Sequence, residues 1–116
     1  MAPKKGNLYA NAVMPVDGSE FSEILLHHDK YKLERIISKG QITPEGQWYD
    51  QDNDEWVVLL RGEARIEFAG SEIMYLTPGD YLWIPAHQLH RVLYTSSDPD
   101  CIWLALHSKQ LQSEGK

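Results

Sequence analysis

The stretch that decides the fold is Glu63-Ala64-Arg65-Ile66-Glu67-Phe68, in which charged and apolar residues alternate without a break. Successive side chains of a β-strand point to opposite faces of a sheet, so this period of two predicts one solvent-exposed face and one buried face. We therefore expect the apolar side chains of this strand to face a core and the charged ones to face solvent.

Other short β-prone runs flank this strand and are separated by Gly, Pro, Asp and Ser residues. The runs are Tyr31–Ser38, Trp56–Leu60, Ile73–Leu76, Tyr81–Ile84, Arg91–Thr95 and Cys101–His107. The sequence Ala69-Gly70-Ser71 is typical of a hairpin connection, and Thr77-Pro78-Gly79-Asp80 is typical of a Pro-Gly turn. Short strands at this spacing predict an all-β fold, either a small sandwich or a barrel.

An early segment carries a different signal. Asp17 followed by Glu20 is a capping-box pattern, and Val16 with Phe21 would occupy the two positions of a hydrophobic staple. The pattern predicts a short helix over residues 18–27, although so few turns are also compatible with a strand.

Length and charge limit the classes of protein that the chain can represent. Its 116 residues suffice for one domain, spanning 1–116, and its formal charge of -6 disfavours nucleic acid as a partner. No apolar run approaches the roughly 20 residues of a membrane span. The single cysteine, Cys101, cannot form an intramolecular disulfide, and the sequence starts without the apolar stretch of a secretory signal. We therefore expect a cytoplasmic protein that does not enter a membrane.

The histidines of the β-rich half are the first candidates for chemistry, because a neutral imidazole is the commonest metal ligand. His87 and His90 lie close together, just before the run that ends at Thr95. His107 shares strand parity with Trp103, so it faces either a functional cavity or the edge of the fold. Cys101 has no flanking base or cation and is expected to be a small buried hydrophobe.

An acidic segment, residues 50–55, runs directly into the apolar strand that begins at Trp56. A carboxylate at the start of a buried strand is costly unless it is paired or coordinated, whereas an acidic turn is most often a solvated loop. The aromatic residues of the chain would either line a ligand pocket or pack in the core and in a dimer interface. They are Trp48, Tyr49, Trp56, Tyr81, Trp83 and Trp103.

Residues 79–90, GDYLWIPAHQLH, resemble the second sequence motif of the cupin family. That motif has Gly, five residues, Pro, one residue, Gly, two residues, His, three residues and Asn. This chain keeps Gly79, Pro85 and His90 in register, but it has His87 in place of the second Gly and Tyr94 in place of Asn.

Glu55, followed after six residues by Gly62, is similar to the end of the first cupin motif. The family normally carries His-x-His three or four residues before this Glu, and neither histidine is present here. Depending on the loop length, the two slots hold either Trp48 and Asp50 or Tyr49 and Gln51. The resemblance covers residues 47–95 and, through the strand pattern, most of the chain.

The resemblance implies a small antiparallel jelly-roll β-barrel that holds a divalent metal at its mouth. Carried over position by position, Glu55 and His90 are the metal ligands. Asp50 or Gln51 could supply an oxygen from the same strand, and His87 could turn inward if the bend before it is tight. Such a set of ligands suits Mn, Fe, Ni, Zn or Cu.

For function, the resemblance implies a metal-dependent enzyme of the oxygenase, isomerase, lyase or decarboxylase type. It would act on a small polar organic molecule, with His87 or Tyr94 as acid or base. Two alternatives stay open, a non-catalytic cupin that binds a small molecule and a structural dimeric barrel without metal. Because exposed edge strands need cover, we also expect a homodimer in which the run Asn7–Val13 adds to the neighbour's sheet.

Overall fold

The structure is a computed structural model that describes residues 2–109. Eight strands occur in this part of the chain. They are β1 (Phe21–His27), β2 (Tyr31–Ser38), β3 (Asp54–Arg61), β4 (Ala64–Phe68), β5 (Ile73–Leu76), β6 (Tyr81–Ile84), β7 (His90–Thr95) and β8 (Cys101–Ser108). The predicted all-β class is confirmed, and no helix occurs between residues 2 and 109, so none of a length that could span a membrane.

The strands form two antiparallel sheets that pack face to face. One sheet has five strands in the order β1-β2-β8-β3-β6, and the other has three in the order β5-β4-β7. The core lies between them, with Leu59 and Trp103 from the larger sheet against Ile66 and Phe68 from the smaller one. The apolar side chains of the 63–68 stretch are buried as predicted, because β4 lies in the middle of the smaller sheet.

The helix predicted over residues 18–27 is wrong, because most of this segment is strand β1. Asp17 does not form a capping box; its carboxylate accepts a hydrogen bond from the backbone N–H of Ser19 at 3.0 Å, in a tight turn. Glu20 reaches across to Ser38 instead, at 2.9 Å. β1 pairs with β2 from Phe21 to His27, with one irregularity between Ile24 and Leu26, so the tertiary ladder overrides the local helical signal.

Gly62, in the connection between β3 and β4, is held where no side chain fits. Its φ is +89°, and a Cβ built there would come within 2.8 Å of the Asp100 carbonyl oxygen, the Cys101 Sγ and the Ser96 Oγ. Gly79 has a similar φ of +96°, but a Cβ there would meet nothing within 4 Å. Substitutions at the two glycines therefore distinguish the cost of backbone strain, which both positions share, from the cost of steric crowding, which arises at Gly62.

We expect Gly79→Ala to cost about 1 kcal/mol from the left-handed backbone alone. Gly62→Ala should lower the free energy of unfolding by a further ~1–3 kcal/mol, because the methyl group must displace two packed strand connections. Denaturant unfolding of both variants measures the difference. Equal decreases in the free energy of unfolding in the two variants would show that the structure relieves the crowding at Gly62 without an energetic cost.

The outer face of the larger sheet is rich in apolar side chains. This outer apolar face consists of Leu33, Trp56, Val58, Tyr81, Trp83, Leu104 and Leu106, which the registers of β2, β8, β3 and β6 place side by side. All seven side chains are at least partly exposed to solvent, and Tyr81 is 63% exposed. The run Asn7–Val13 contacts its own chain, since Arg35 donates to the carbonyl oxygens of Leu8 and Ala10.

We propose that two copies dimerise through the outer apolar face rather than through the run 7–13. Light scattering should give twice the monomer mass of 13.3 kDa. Tyr81→Asp should shift the population to monomer, because it places a charge in the contact. Tyr75→Asp is the matched control, since Tyr75 is 69% exposed on the other sheet. A monomeric unaltered protein at micromolar concentration would contradict the proposal.

Candidate functional site

A cavity of about 590 Å³ opens between the two sheets. Its apolar wall is formed by Ile36, Val57, Ile66, Ile84, Val92 and Trp103. Its polar groups come from both sheets and from the segments 17–20 and 41–51. A mostly apolar cavity with a few converging polar groups is the usual form of a small-molecule site.

Glu55 is the most deeply placed carboxylate of the cavity. It lies near the start of β3, directly opposite His107 of β8 in the strand register, and it is 8% exposed. Burial raises the pKa of the Glu55 carboxyl, and the nearby Glu34 adds to the rise. His107, His90 and a hydrogen bond from Gln51 oppose it. The carboxyl therefore holds its proton to a higher pH than an exposed glutamate does.

Glu34 and His107 form a pair on the same wall. The Glu34 Oε1 and the His107 Nε2 are 3.0 Å apart, and the Ser22 hydroxyl donates to the Glu34 Oε2 at 2.8 Å. The hydrogen bond with His107 lowers the pKa of Glu34, and the Ser22 bond acts in the same direction. Glu34 and Glu55 thus share one cavity with pKa values displaced in opposite directions.

His90 faces the cavity from the smaller sheet, where it begins β7. Its Nδ1 lies 2.8 Å from the carbonyl oxygen of Gln88, which can only accept, so Nδ1 donates and in the neutral ring Nε2 is the atom with the lone pair. The ring stacks on Tyr49, with a centroid distance of 5.5 Å, and packs against the tilted ring of Phe68, with a centroid distance of 5.8 Å. Backbone hydrogen bonds between Tyr49 and His90 fix this stack.

Glu20 stands at the mouth of the cavity, exposed on one side. Its carboxylate accepts a hydrogen bond from Ser38, but burial raises its pKa and the charges of Glu34 and Glu55 add to the rise. Gln41 donates to the carbonyl oxygen of Gly18 at 3.1 Å and closes the rim. The cavity thus contains three carboxylates that influence one another.

The profile of the cupin domain matches residues 34–107, which span β2 to β8. The chain belongs to the cupin family. It superimposes on a protein from Ralstonia eutropha JMP134, provisionally named a mannose-6-phosphate isomerase, with a TM-score of 0.87 and 42% identity over 93% of this chain and 100% of that one. No protein with a curated functional description matches the sequence.

Two more distant structures share the fold of this cupin. A cupin superfamily protein from Desulfitobacterium hafniense DCB-2 is 18% identical, covers 95% of each chain and has a TM-score of 0.72. KdgF from a Halomonas species is also 18% identical, covers 84% of this chain and 87% of that one, and has a TM-score of 0.65. At this identity the likeness concerns the barrel alone.

The structure decides between the two alignments of the missing first-motif histidines. Tyr49 and Gln51 line the cavity of this cupin. Trp48 turns outward, where the guanidinium of Arg91 lies 4.6 Å from the centroid of its ring. Asp50 also turns outward, so the two slots that face the interior hold a phenol and an amide.

Of the five predicted metal ligands, Glu55, His90 and Gln51 reach the cavity, whereas Asp50 and His87 do not. The Asp50 Oδ1 and the His87 Nδ1 are 2.7 Å apart on the surface, and this hydrogen bond raises the pKa of His87. The His87 side chain is 63% exposed, and its φ of 64° lies in the left-handed region.

Tyr94, expected from the resemblance as a possible acid or base, also lies outside the cavity. The pairing of β4 with β7 shifts between Arg65 and Ile66, so Val92 pairs with Ile66 but Tyr94 pairs with Arg65. This bulge turns Tyr94 to the outside, where the Arg65 guanidinium lies 4.9 Å from its ring centroid. Tyr94 therefore cannot contact a molecule bound in the cavity.

His107 faces the cavity, which was one of its two predicted orientations. The sequence did not identify Glu34 or Glu20 as residues of the site. A signal for Glu34 was present, because it alternates with Ile36 and Ser38 on one face of β2. Glu20 carried no such signal, because its place at the mouth depends on the pairing of β1 with β2.

A resident metal would need at least three strong donors around one point. Among residues 2–109, no three His, Cys, Asp or Glu side chains are placed to hold a metal ion together. His107 is already bonded to Glu34, and the nearest further donors to Glu55 and His90 are the weaker amide and phenol of Gln51 and Tyr49. As placed, the donors do not fit a three-ligand metal site.

We expect Glu55→Gln to stabilise the fold at neutral pH by on the order of 1 kcal/mol, because it removes a charge that burial disfavours. A folded-state pKa above the unfolded value of 4.5 makes the ionised group destabilising only once the pH rises past 4.5. The gain should therefore vanish at about pH 4 and appear as the pH rises. Denaturant unfolding across this range measures it.

Glu45→Gln is the control for that series, because Glu45 is exposed outside the cavity. It should change the free energy of unfolding by no more than ~0.5 kcal/mol. A loss of stability in Glu55→Gln at neutral pH would mean that the ionised carboxylate is a net stabilising partner of the two histidines.

Proposed function

We propose that this cupin is an acid–base enzyme that binds a small polyhydroxylated molecule in the cavity and moves a proton on it. One observation carries the proposal. Glu55 on β3 and His90 on β7 belong to opposite sheets, both are buried, and both line the same cavity. A molecule bound between the sheets would therefore meet one proton-transfer group on each side.

The two groups suit complementary roles. The raised pKa of Glu55 favours a protonated carboxyl that can donate to a carbonyl oxygen of the substrate. The lone pair on the His90 Nε2 can accept a proton from the adjacent carbon, since Nδ1 is committed to Gln88. Return of that proton to the former carbonyl carbon, together with transfer of the hydroxyl proton of the adjacent carbon back to the Glu55 carboxylate, would complete an isomerisation with no net change in protons.

The name of the Ralstonia protein supports this class of reaction. An isomerase that interconverts an aldose and a ketose must move a hydrogen between neighbouring carbons, and an acid–base pair moves it as a proton. That protein is 42% identical to this chain over nearly its whole length, so a related proton transfer is the reaction class to test first.

The test is incorporation of deuterium from D2O at the carbon next to the carbonyl, measured by NMR with mannose and fructose as probes. We expect Glu55→Gln and His90→Gln each to slow the exchange by roughly 10²-fold or more, since each removes one half of the proton transfer. Tyr94→Phe should exchange at the unaltered rate, because Tyr94 lies outside the cavity.

Other outcomes assign the remaining functions. Sugar binding without exchange would identify a non-catalytic small-molecule-binding cupin, and neither binding nor exchange would favour a structural barrel. The metal-dependent form retains Glu55, His90 and Gln51 as its candidate ligands in the cavity. Near-stoichiometric metal that is lost in His90→Ala would support it, whereas exchange that survives exhaustive chelation would support direct action by the side chains.

A further inference from the structure

We infer that the site takes unphosphorylated polyhydroxylated compounds and that, among these, a compound with a protonated amine binds best. This inference deepens the proposed function and rests on it. It starts from the charges around the cavity. The described residues that line it include four acidic ones, Asp17, Glu20, Glu34 and Glu55, and no lysine or arginine.

The arginine side chains, which are the cations best suited to hold a phosphate, lie elsewhere. The four arginines are engaged outside the cavity: Arg35 with Glu23, Arg61 with Asp100, Arg65 beside Tyr75 and Tyr94, and Arg91 with Glu67. Lys32 lies on the same face of β2 as Glu34 and helps to lower its pKa, but it does not line the cavity. A phosphate group would therefore enter a negative field without a fixed cation to meet it.

Three of the neutral donors in the cavity are already engaged, and the phenol of Tyr49 and the amide of Gln51 carry no charge to offset that of a phosphate. The Ser38 hydroxyl donates to Glu20, the Trp103 indole N–H donates to Ser38, and the Thr95 hydroxyl donates to the carbonyl oxygen of Gln41. No helix occurs between residues 2 and 109, so no helix N-terminus offers its backbone N–H groups to an anion.

Acceptors, in contrast, are in excess. An ionised carboxylate can accept about four hydrogen bonds. Glu20 receives one from Ser38, and Glu34 receives one from Ser22 and shares another with His107. A protonated Glu55 still offers its carbonyl oxygen, and the His90 Nε2 offers a lone pair. Hydroxyl groups can donate to these atoms, and an ammonium group donates three hydrogen bonds while it offsets the negative charge.

The experiment compares three probes with one ring: mannosamine, mannose and mannose 6-phosphate, the compound in the name of the Ralstonia protein. Calorimetric titration at fixed ionic strength and neutral pH gives each dissociation constant. We expect mannosamine to bind at least tenfold more tightly than mannose 6-phosphate, with mannose between them.

Two matched variants tie the preference to the cavity. Glu20→Gln keeps a side chain that can form a hydrogen bond with Ser38 but removes one negative charge. It should decrease the ratio of the dissociation constants of mannose 6-phosphate and mannosamine at least threefold. Glu45→Gln removes the same charge from an exposed loop outside the cavity and should leave the ratio unchanged.

Mannose 6-phosphate binding as tightly as mannosamine, or more tightly, would overturn the inference while leaving proton transfer intact. An equal decrease of this ratio in Glu20→Gln and Glu45→Gln would also overturn the inference, because the preference would then reflect the net charge of the protein. Failure of all three probes to bind, together with no deuterium exchange, would overturn the proposed function and this inference with it.

Discussion

The register of β8 between β2 and β3 is the constraint on which the site depends. It sets His107 opposite Glu55 on one side and leaves Glu34 one diagonal step away on the other. A slip of one residue in either ladder would turn these side chains to the opposite face of the sheet and bring leucines into the cavity. Ile102 and Ala105, both fully buried on β8, hold this register by packing on opposite faces of the strand.

A cavity lined by carboxylates has an energetic consequence for the rest of the fold. Glu55 and Glu20 both have raised pKa values, so their ionised forms are disfavoured where they stand. The hydrogen bond with His107 lowers the pKa of Glu34 instead, and buried core residues such as Leu59, Leu76 and Cys101 do not line the cavity. The apolar packing of these residues offsets the cost of burying carboxylates, and perturbed carboxylates of this kind are common at functional sites.

The positions where this chain departs from the cupin pattern have a geometric explanation. His87 stands where the pattern has Gly, and its φ of 64° lies in the left-handed region that favours glycine. The loop nevertheless keeps this conformation, because the backbone N–H of His87 donates to the Gln51 carbonyl oxygen and its ring bonds to Asp50. These contacts join the loops of the two motifs at the mouth of the barrel. The family metal positions that face inward hold Tyr49 and Gln51, so the same scaffold presents a phenol and an amide.

The sequence by itself determined the strands, because alternation and turn residues are local signals. Seven of the eight strands could be located from runs such as 63–68 and 73–76, and Glu55 and His90 could be named as site residues from motif spacing. What only the tertiary structure decided depends on pairing between distant segments. The strand at 21–27 forms because it pairs with β2. Tyr94 turns outward because of a bulge in the pairing with β4. Asp50 and His87 face solvent because their two loops are joined by a hydrogen bond between these side chains. Glu20 and Glu34 join the cavity through the same long-range pairing, and local periodicity carries no information about which distant strand will lie alongside.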